Sequence, residues 1–186
     1  MRFYIDPGTG SMLFAILIGI IGAVTYMLKS WILKLRFILS GGKKVDVGAD
    51  KIPLVIFSDD KRYWSVFRPV CRELDKKGID TVYMTASQDD PALECGLEHV
   101  KSEFIGEGNK AFAKLNFLNA SVVMSTTPGL DVYQWKRSKQ VDYYVHLPHA
   151  ASDISGYRMF GIDYYDAILL SGQYQVEQVR ALERLR

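Results

Sequence analysis

From residue 52 onward the sequence predicts an α/β fold built on a parallel sheet. Short apolar, β-branched runs alternate with longer amphipathic stretches, the pattern of strand–helix–strand units. The runs are apolar at nearly every position rather than every second one, as strands buried on both faces require. Several stop abruptly in Asp, Ser, Thr or His. A parallel sheet collects all such turns on one edge, where ligands of open α/β sheets bind. A Rossmann-like domain over 52–186 is the expectation.

Each element has its own signal. Ile52-Pro-Leu-Val-Ile-Phe57 reads as the first strand. Residues 63–77 carry apolar side chains at helical spacing and stop at Gly78. Ile79-Asp-Thr-Val-Tyr-Met84 reads as a second strand, 98–105 as a third and 109–118 as a helix. Ala120-Ser-Val-Val-Met-Ser125, the run 141–147 and Tyr165-Asp-Ala-Ile-Leu-Leu170 supply three more strands, and 173–186 a final helix. That last helix lacks a Gly or Pro stop signal, which predicts a longer, two-domain protein truncated here. There is no internal repeat.

The first 40 residues read as a membrane anchor. No charged side chain occurs from Pro7 to Leu28. With Thr9, Gly10 and Ser11 included, the run reaches the roughly 20 residues a helix needs to cross the hydrocarbon core. A helix over 11–28 is expected, started by the turn Asp6-Pro-Gly-Thr-Gly-Ser11, which has neither the preceding strand nor the Gly-Lys-Ser/Thr of a phosphate loop. Lys29, Lys34, Arg36, Lys43 and Lys44 follow the run and only Arg2 precedes it. The positive-inside rule therefore predicts a single-pass protein of the cell membrane with its globular part in the cytoplasm. Residues 29–39 alternate bulk and basic charge like an interfacial helix on anionic lipid, and 41–51 form a linker. Ala15, Gly19 and Ala23 recur every fourth residue, a spacing through which two such helices could pack as a homodimer.

Composition sets further bounds. The chain has 23 basic and 21 acidic residues, so charge provides no case for a nucleic-acid partner. Cys71 and Cys95 fit neither metal spacing nor a C-x-x-C motif and suit a reducing compartment. No cofactor motif is present, and His146 with His149 would need a third ligand to hold a metal.

Three strand ends hold the candidate site. Asp59 and Asp60 after the first strand would cap the following helix or receive substrate hydroxyls, and Lys61 and Arg62 could hold an anion. Ser125, Thr126 and Thr127 after the fourth offer hydroxyls and amides to a phosphate or sugar. After the fifth, Tyr143-Tyr-Val-His-Leu-Pro-His149 presents two histidines. His146 is expected to point into the sheet. His149 is the candidate general base, since imidazole titrates near neutrality. Ser171 and Gly172 precede the final helix, where Ser171 can act as cap and free amides would suit a phosphate. Trp64, Trp135 and the tyrosines are expected to pack rather than stack on a ligand.

Taken together, Phe57-Ser-Asp-Asp-Lys-Arg-Tyr-Trp64, Ser125-Thr-Thr-Pro-Gly129, Tyr143-Tyr-Val-His-Leu-Pro-His149 and Tyr164-Tyr-Asp-Ala-Ile-Leu-Leu-Ser-Gly172 resemble the amino-terminal half of CDP-glycerol glycerophosphotransferase-like proteins. The resemblance implies two Rossmann-like domains in the GT-B arrangement, of which this chain holds the acceptor side. It implies transfer of glycerol phosphate from CDP-glycerol to a hydroxyl or polymer acceptor of the teichoic-acid type, at the cytoplasmic face of a bacterial membrane. It assigns the base to His149, although the family's usual His-Gly-Thr-Pro is replaced by His149-Ala-Ala-Ser. The donor would be held mainly by the second domain. A different class also fits the sequence: a non-catalytic, membrane-tethered binding or regulatory module. Its phospho-receiver version is disfavoured, because Ile105-Gly-Glu and Leu147-Pro-His lack the Asp and Lys such a site needs.

Overall fold

The computed structural model describes residues 51–185. The expected anchor over 1–40, the helix 11–28, the dimer stripe at Ala15, Gly19 and Ala23, and the linker up to Asp50 lie outside the described residues. Among the described residues no helix is long and apolar enough to cross a membrane.

Six strands form one all-parallel sheet: β1 (Ile52–Ser58), β2 (Thr81–Thr85), β3 (Val100–Phe104), β4 (Ala120–Ser125), β5 (Val141–His146) and β6 (Ala167–Ile168). Their spatial order is β3-β2-β1-β4-β5-β6, the Rossmann-like order. β1 lies at the centre, with Leu54 between Thr81 of β2 and Val122 of β4. Among the described residues three α-helices accompany the strands: α1 (Trp64–Lys76), α2 (Asn109–Leu115) and α3 (Gln173–Leu185).

Burial explains the uninterrupted apolar strands. Val55, Ile56 and Phe57 are all fully enclosed, because both faces of β1 are covered. On one face Ile56, Tyr83 and Val100 meet Phe67 and Cys71 of α1. On the other, Val55, Phe57, Val123 and Tyr144 meet Ala111 and Leu115 of α2 and the indole of Trp135. Trp135 does what a helix would otherwise do over β4 and β5. It sits on the irregular β4–β5 connection, edge-on to Phe57 at 5.1 Å and to Tyr144 at 6.2 Å.

The elements follow local chemistry closely. α1 ends where Gly78 adopts φ +65°, and Ile79 N–H reaches back to Leu74 O at 3.0 Å, a six-to-one helix stop. The helix starts one residue later than 63 because Lys61–Tyr63 form a 3₁₀ turn capped by Asp60. β6 is the main departure. The run 165–170 predicts a six-residue strand, but only Ala167 and Ile168 pair with β5. Tyr165 turns instead into the core, and Asp166 meets β5 with both backbone and side chain, its N–H donating to Tyr144 O at 2.9 Å and its carboxylate accepting from Tyr144 N. Likewise α2 stops at Leu115 rather than 118, and Leu118 packs into the core beyond it.

Candidate functional site

The chain leaves β1 toward β2 on one side and leaves β4 toward β5 on the other. That divergence makes the carboxyl edge between the turns after β1 and β4 the topological switch point of the sheet, where ligands of open α/β sheets bind. The side chains there come from three turns, and each is placed by its own hydrogen bonds.

After β1, the carboxylate of Asp60 accepts from Arg62 N at 2.9 Å and from Arg62 Nε at 3.0 Å. This pair holds the Asp60 carboxyl below its usual range. Lys61 is bound to the carboxylate of Asp89. The two cations expected to hold an anion are therefore neutralised by neighbouring acids, and Asp60 serves as a cap. Asp59 is exposed and faces an open cleft of about 740 Å³. The cleft is lined besides by Ala86, Ser87, Gln88 and Asp89 after β2, and by Glu107 and Gly108 after β3. Sequence reasoning left these last two turns out. The same rule that placed the turns after β1, β4 and β5 on one edge would have found them.

After β4, Ser125, Thr126 and Thr127 are enclosed rather than open to solvent. Ser125 Oγ accepts from Thr127 N at 3.0 Å, and the Thr127 carbonyl accepts from the Tyr165 hydroxyl. The hydroxyls of Thr126 and Thr127 have no hydrogen-bond partner among the described residues. None of the three lines the cleft beside Asp59.

After β5 the two histidines separate as the sequence suggests. His146 is fully buried, with Nε2 2.9 Å from the Tyr157 hydroxyl and its ring 4.9 Å from that of Tyr165. Burial, and secondarily the proximity of His149, pushes its pKa down to about 4, so the ring is neutral at pH 7. His149 is exposed, and its ring centroid lies 5.0 Å from that of Tyr63, tilted by 50°. Tyr63 closes the 3₁₀ turn that Asp60 caps. Its own hydroxyl is held in the protonated form, first by burial and then by the charge of Asp59. The turn after β1 thus reaches across the end of β4 to support the imidazole delivered by β5.

Ser171 and Gly172 do not join this group. Ser171 N and Oγ both bond to Gln175 Oε1, at 2.8 and 2.9 Å. The Gln175 amide then donates to Ser152 O at 2.8 Å, and Gln178 Oε1 accepts from Ile154 N at 3.0 Å. This end of α3 braces the β5–β6 connection, so the amides expected to face a phosphate are partly spent on structure. Among the described residues no group of three or more His, Cys, Asp or Glu side chains could hold a metal ion.

Fold and site together define a Rossmann-like α/β domain with an exposed imidazole after β5 and an acidic cleft beside the turns after β1, β2 and β3. Comparison with protein-family models, curated proteins and solved structures finds no match to the chain.

Proposed function

We propose that the chain is the acceptor-side domain of a membrane-associated glycerophosphotransferase of the CDP-glycerol type, with His149 as general base. The observation that carries this reading is the exposed His149 imidazole after β5, held against Tyr63 of the turn that follows β1, the same turn whose Asp59 faces the acidic cleft. The resemblance of its surrounding motifs to that family adds the substrate class.

In this reading the acceptor lies in the cleft after β1–β3, its hydroxyls donating to Asp59, Glu107 and the polar groups of Ser87 and Gln88. The reacting hydroxyl gives its proton to a His149 ring nitrogen as its oxygen attacks the phosphorus that bears glycerol. The bond from that phosphorus to the bridging oxygen breaks, and CMP leaves. Because Lys61 and Arg62 are already paired with Asp89 and Asp60, the phosphates of CDP-glycerol need another set of cations, which a second domain would supply. The anchor expected over 11–28 would hold the reaction at the cytoplasmic membrane face.

The test is transfer from radiolabelled CDP-glycerol on membranes carrying the full-length protein, wild type against His149→Ala. Loss of turnover with the fold intact supports the base. Turnover that survives in the variant removes His149 from the mechanism. A wild type that binds an acceptor polyol but transfers nothing leaves a non-catalytic binding module instead.

A further inference from the structure

A second concave site lies away from the carboxyl-edge crevice, between α1 and the loop that follows β2. It is a groove of about 520 Å³ lined by Trp64, Arg68, Arg72, Pro91, Glu94, Cys95 and Leu97. We propose that this groove binds a phosphate-bearing ligand, gripped by the guanidinium groups of Arg68 and Arg72 against the indole of Trp64.

Spacing is the first observation. Trp64, Arg68 and Arg72 recur every fourth residue on α1, so all three lie on one helix face. Two like charges four residues apart repel each other, an arrangement that weakens a helix unless something neutralises them. Nothing among the described residues does. Both arginines are exposed, and neither has an ion-pair partner among the described residues. By contrast Arg62, Arg137 and Arg180 are each matched to a carboxylate. Glu94 lines the same groove yet pairs with neither arginine, so the groove keeps an excess of positive charge.

The walls supply the rest. Trp64 is fixed edge-on to the buried ring of Tyr83 at 5.3 Å. Pro91 and Leu97 face it, and Cys95 is anchored with Sγ 3.6 Å from Ser102 Oγ. The 3₁₀ turn Pro91–Glu94 that forms this wall is itself capped by Asp90, which accepts from Ala92 N at 2.9 Å and from Thr85 Oγ1 at 2.6 Å. A rigid apolar wall beside two guanidinium forks suits an organic phosphate: the forks match phosphate oxygens in pairs, and the indole and Leu97 take the body of the ligand. The volume falls within the range of about 300–1,000 Å³ typical of small-ligand sites. A pyrophosphate-containing solute and a phospholipid headgroup share this chemistry.

The experiment uses the full chain in a neutral detergent and reads binding calorimetrically in two arms. One arm adds inorganic pyrophosphate; the other adds mixed micelles of phosphatidylglycerol, with phosphatidylcholine as control. Saturable binding is expected in at least one arm, weakened about tenfold or more in R68Q/R72Q, as loss of two charge-assisted contacts implies. R68K/R72K, which keeps charge but loses the forks, should fall between the two. Binding of pyrophosphate assigns a soluble ligand, and binding of phosphatidylglycerol alone assigns a headgroup. Reading every effect against R68Q/R72Q removes contributions from the basic residues near the amino terminus. The proposal is overturned by equal affinity in R68Q/R72Q with unchanged circular dichroism, by no saturable binding in either arm, or by citrate binding as tightly as pyrophosphate. None of these readouts depends on catalysis, so the fate of His149 does not bear on them.

Discussion

The β1–β3 half and the β4–β6 half of the sheet solve the same problem in different ways. In the first half two of the three connections are helical, α1 carrying the chain from β1 to β2 and α2 from β3 to β4, each satisfying its own backbone groups internally, while β2 joins β3 through the 3₁₀ turn Pro91–Glu94. In the second half the β4–β5 and β5–β6 connections contain no α-helix. Short backbone turns, such as Val132 N–H to Gly129 O at 3.1 Å and Tyr157 N–H to Ile154 O at 3.1 Å, satisfy part of their backbone, and side chains tie them to the strands. Ser138 Oγ donates to Leu118 O at 2.7 Å, and the Tyr144 hydroxyl accepts from Ser138 N at 2.8 Å. Asp166 Oδ2 accepts from Tyr144 N at 2.7 Å while its carboxylate grips Arg137. Helical crossovers hold a sheet together with little demand on particular side chains. Irregular crossovers need specific polar partners, and in return they can present an exposed side chain such as His149 at a fixed place.

Four measurements test that contrast. The largest effect is expected at the shared centre, where Phe57→Ala removes a ring packed against Trp135 and Phe112. A loss of about 3–5 kcal/mol in chemical denaturation is expected, with both halves unfolding together. Separate transitions for the two halves would refute the single core.

Next is the buried imidazole of the second half. His146 titrates at about 4 when folded and near its ordinary value when unfolded, so the unfolded chain binds the extra proton. Its contribution is complete above about pH 6.5 and is lost as pH falls toward 4, by about 3 kcal/mol in all. Urea midpoints measured from pH 7 to 4.5 should fall more steeply for wild type than for His146→Gln. Parallel slopes would mean that His146 is not held neutral by burial.

Asp166→Ala is expected to cost about 2 kcal/mol, because it strips the partner from Tyr144 N–H and from Arg137 at once. Glu73→Ala, which breaks an exposed pair with Lys76 on α1, should leave the denaturation midpoint unchanged. Equal effects from the two would erase the distinction between the halves. Smaller than the Asp166 effect is that of Tyr157→Phe, which removes the hydroxyl bonded to His146 at a cost of about 1 kcal/mol. Amide exchange should quicken in 147–157 and stay unchanged in α1. Uniform exchange along the chain would show that Tyr157 does not pin this connection.

Most of the fold was legible because strand and helix signals are local. The apolar runs placed all six strands, Gly78 placed the end of α1, and Ala120–Ser125 matched in full. β6 was overestimated because Tyr165-Asp-Ala-Ile-Leu-Leu170 carries the composition of a strand at both ends. Only packing decides that Tyr165 joins the core while Asp166 serves Tyr144 and Arg137. The site was legible in outline. His149 and His146 parted as their positions in the strand pattern suggest, and Asp60 caps a turn as acids at strand ends commonly do. The pairing of Lys61 with Asp89, 28 residues away, the burial of Ser125 to Thr127, and the use of Ser171 by Gln175 were not legible, since none leaves a local mark.

The amino-acid sequence alone determined that the chain alternates strands with helices and that its polar strand ends share one edge, because periodicity and turn chemistry act over a few residues. Tertiary structure decided which of those polar groups are open. Register and packing set Asp59 and His149 facing solvent at the switch point, spent Lys61, Arg62 and Ser171 on internal bonds, and left Arg68 and Arg72 unmatched in a groove. The physical reason is that a charge or hydroxyl is available for chemistry only when no neighbour satisfies it, and neighbours are chosen by the whole fold.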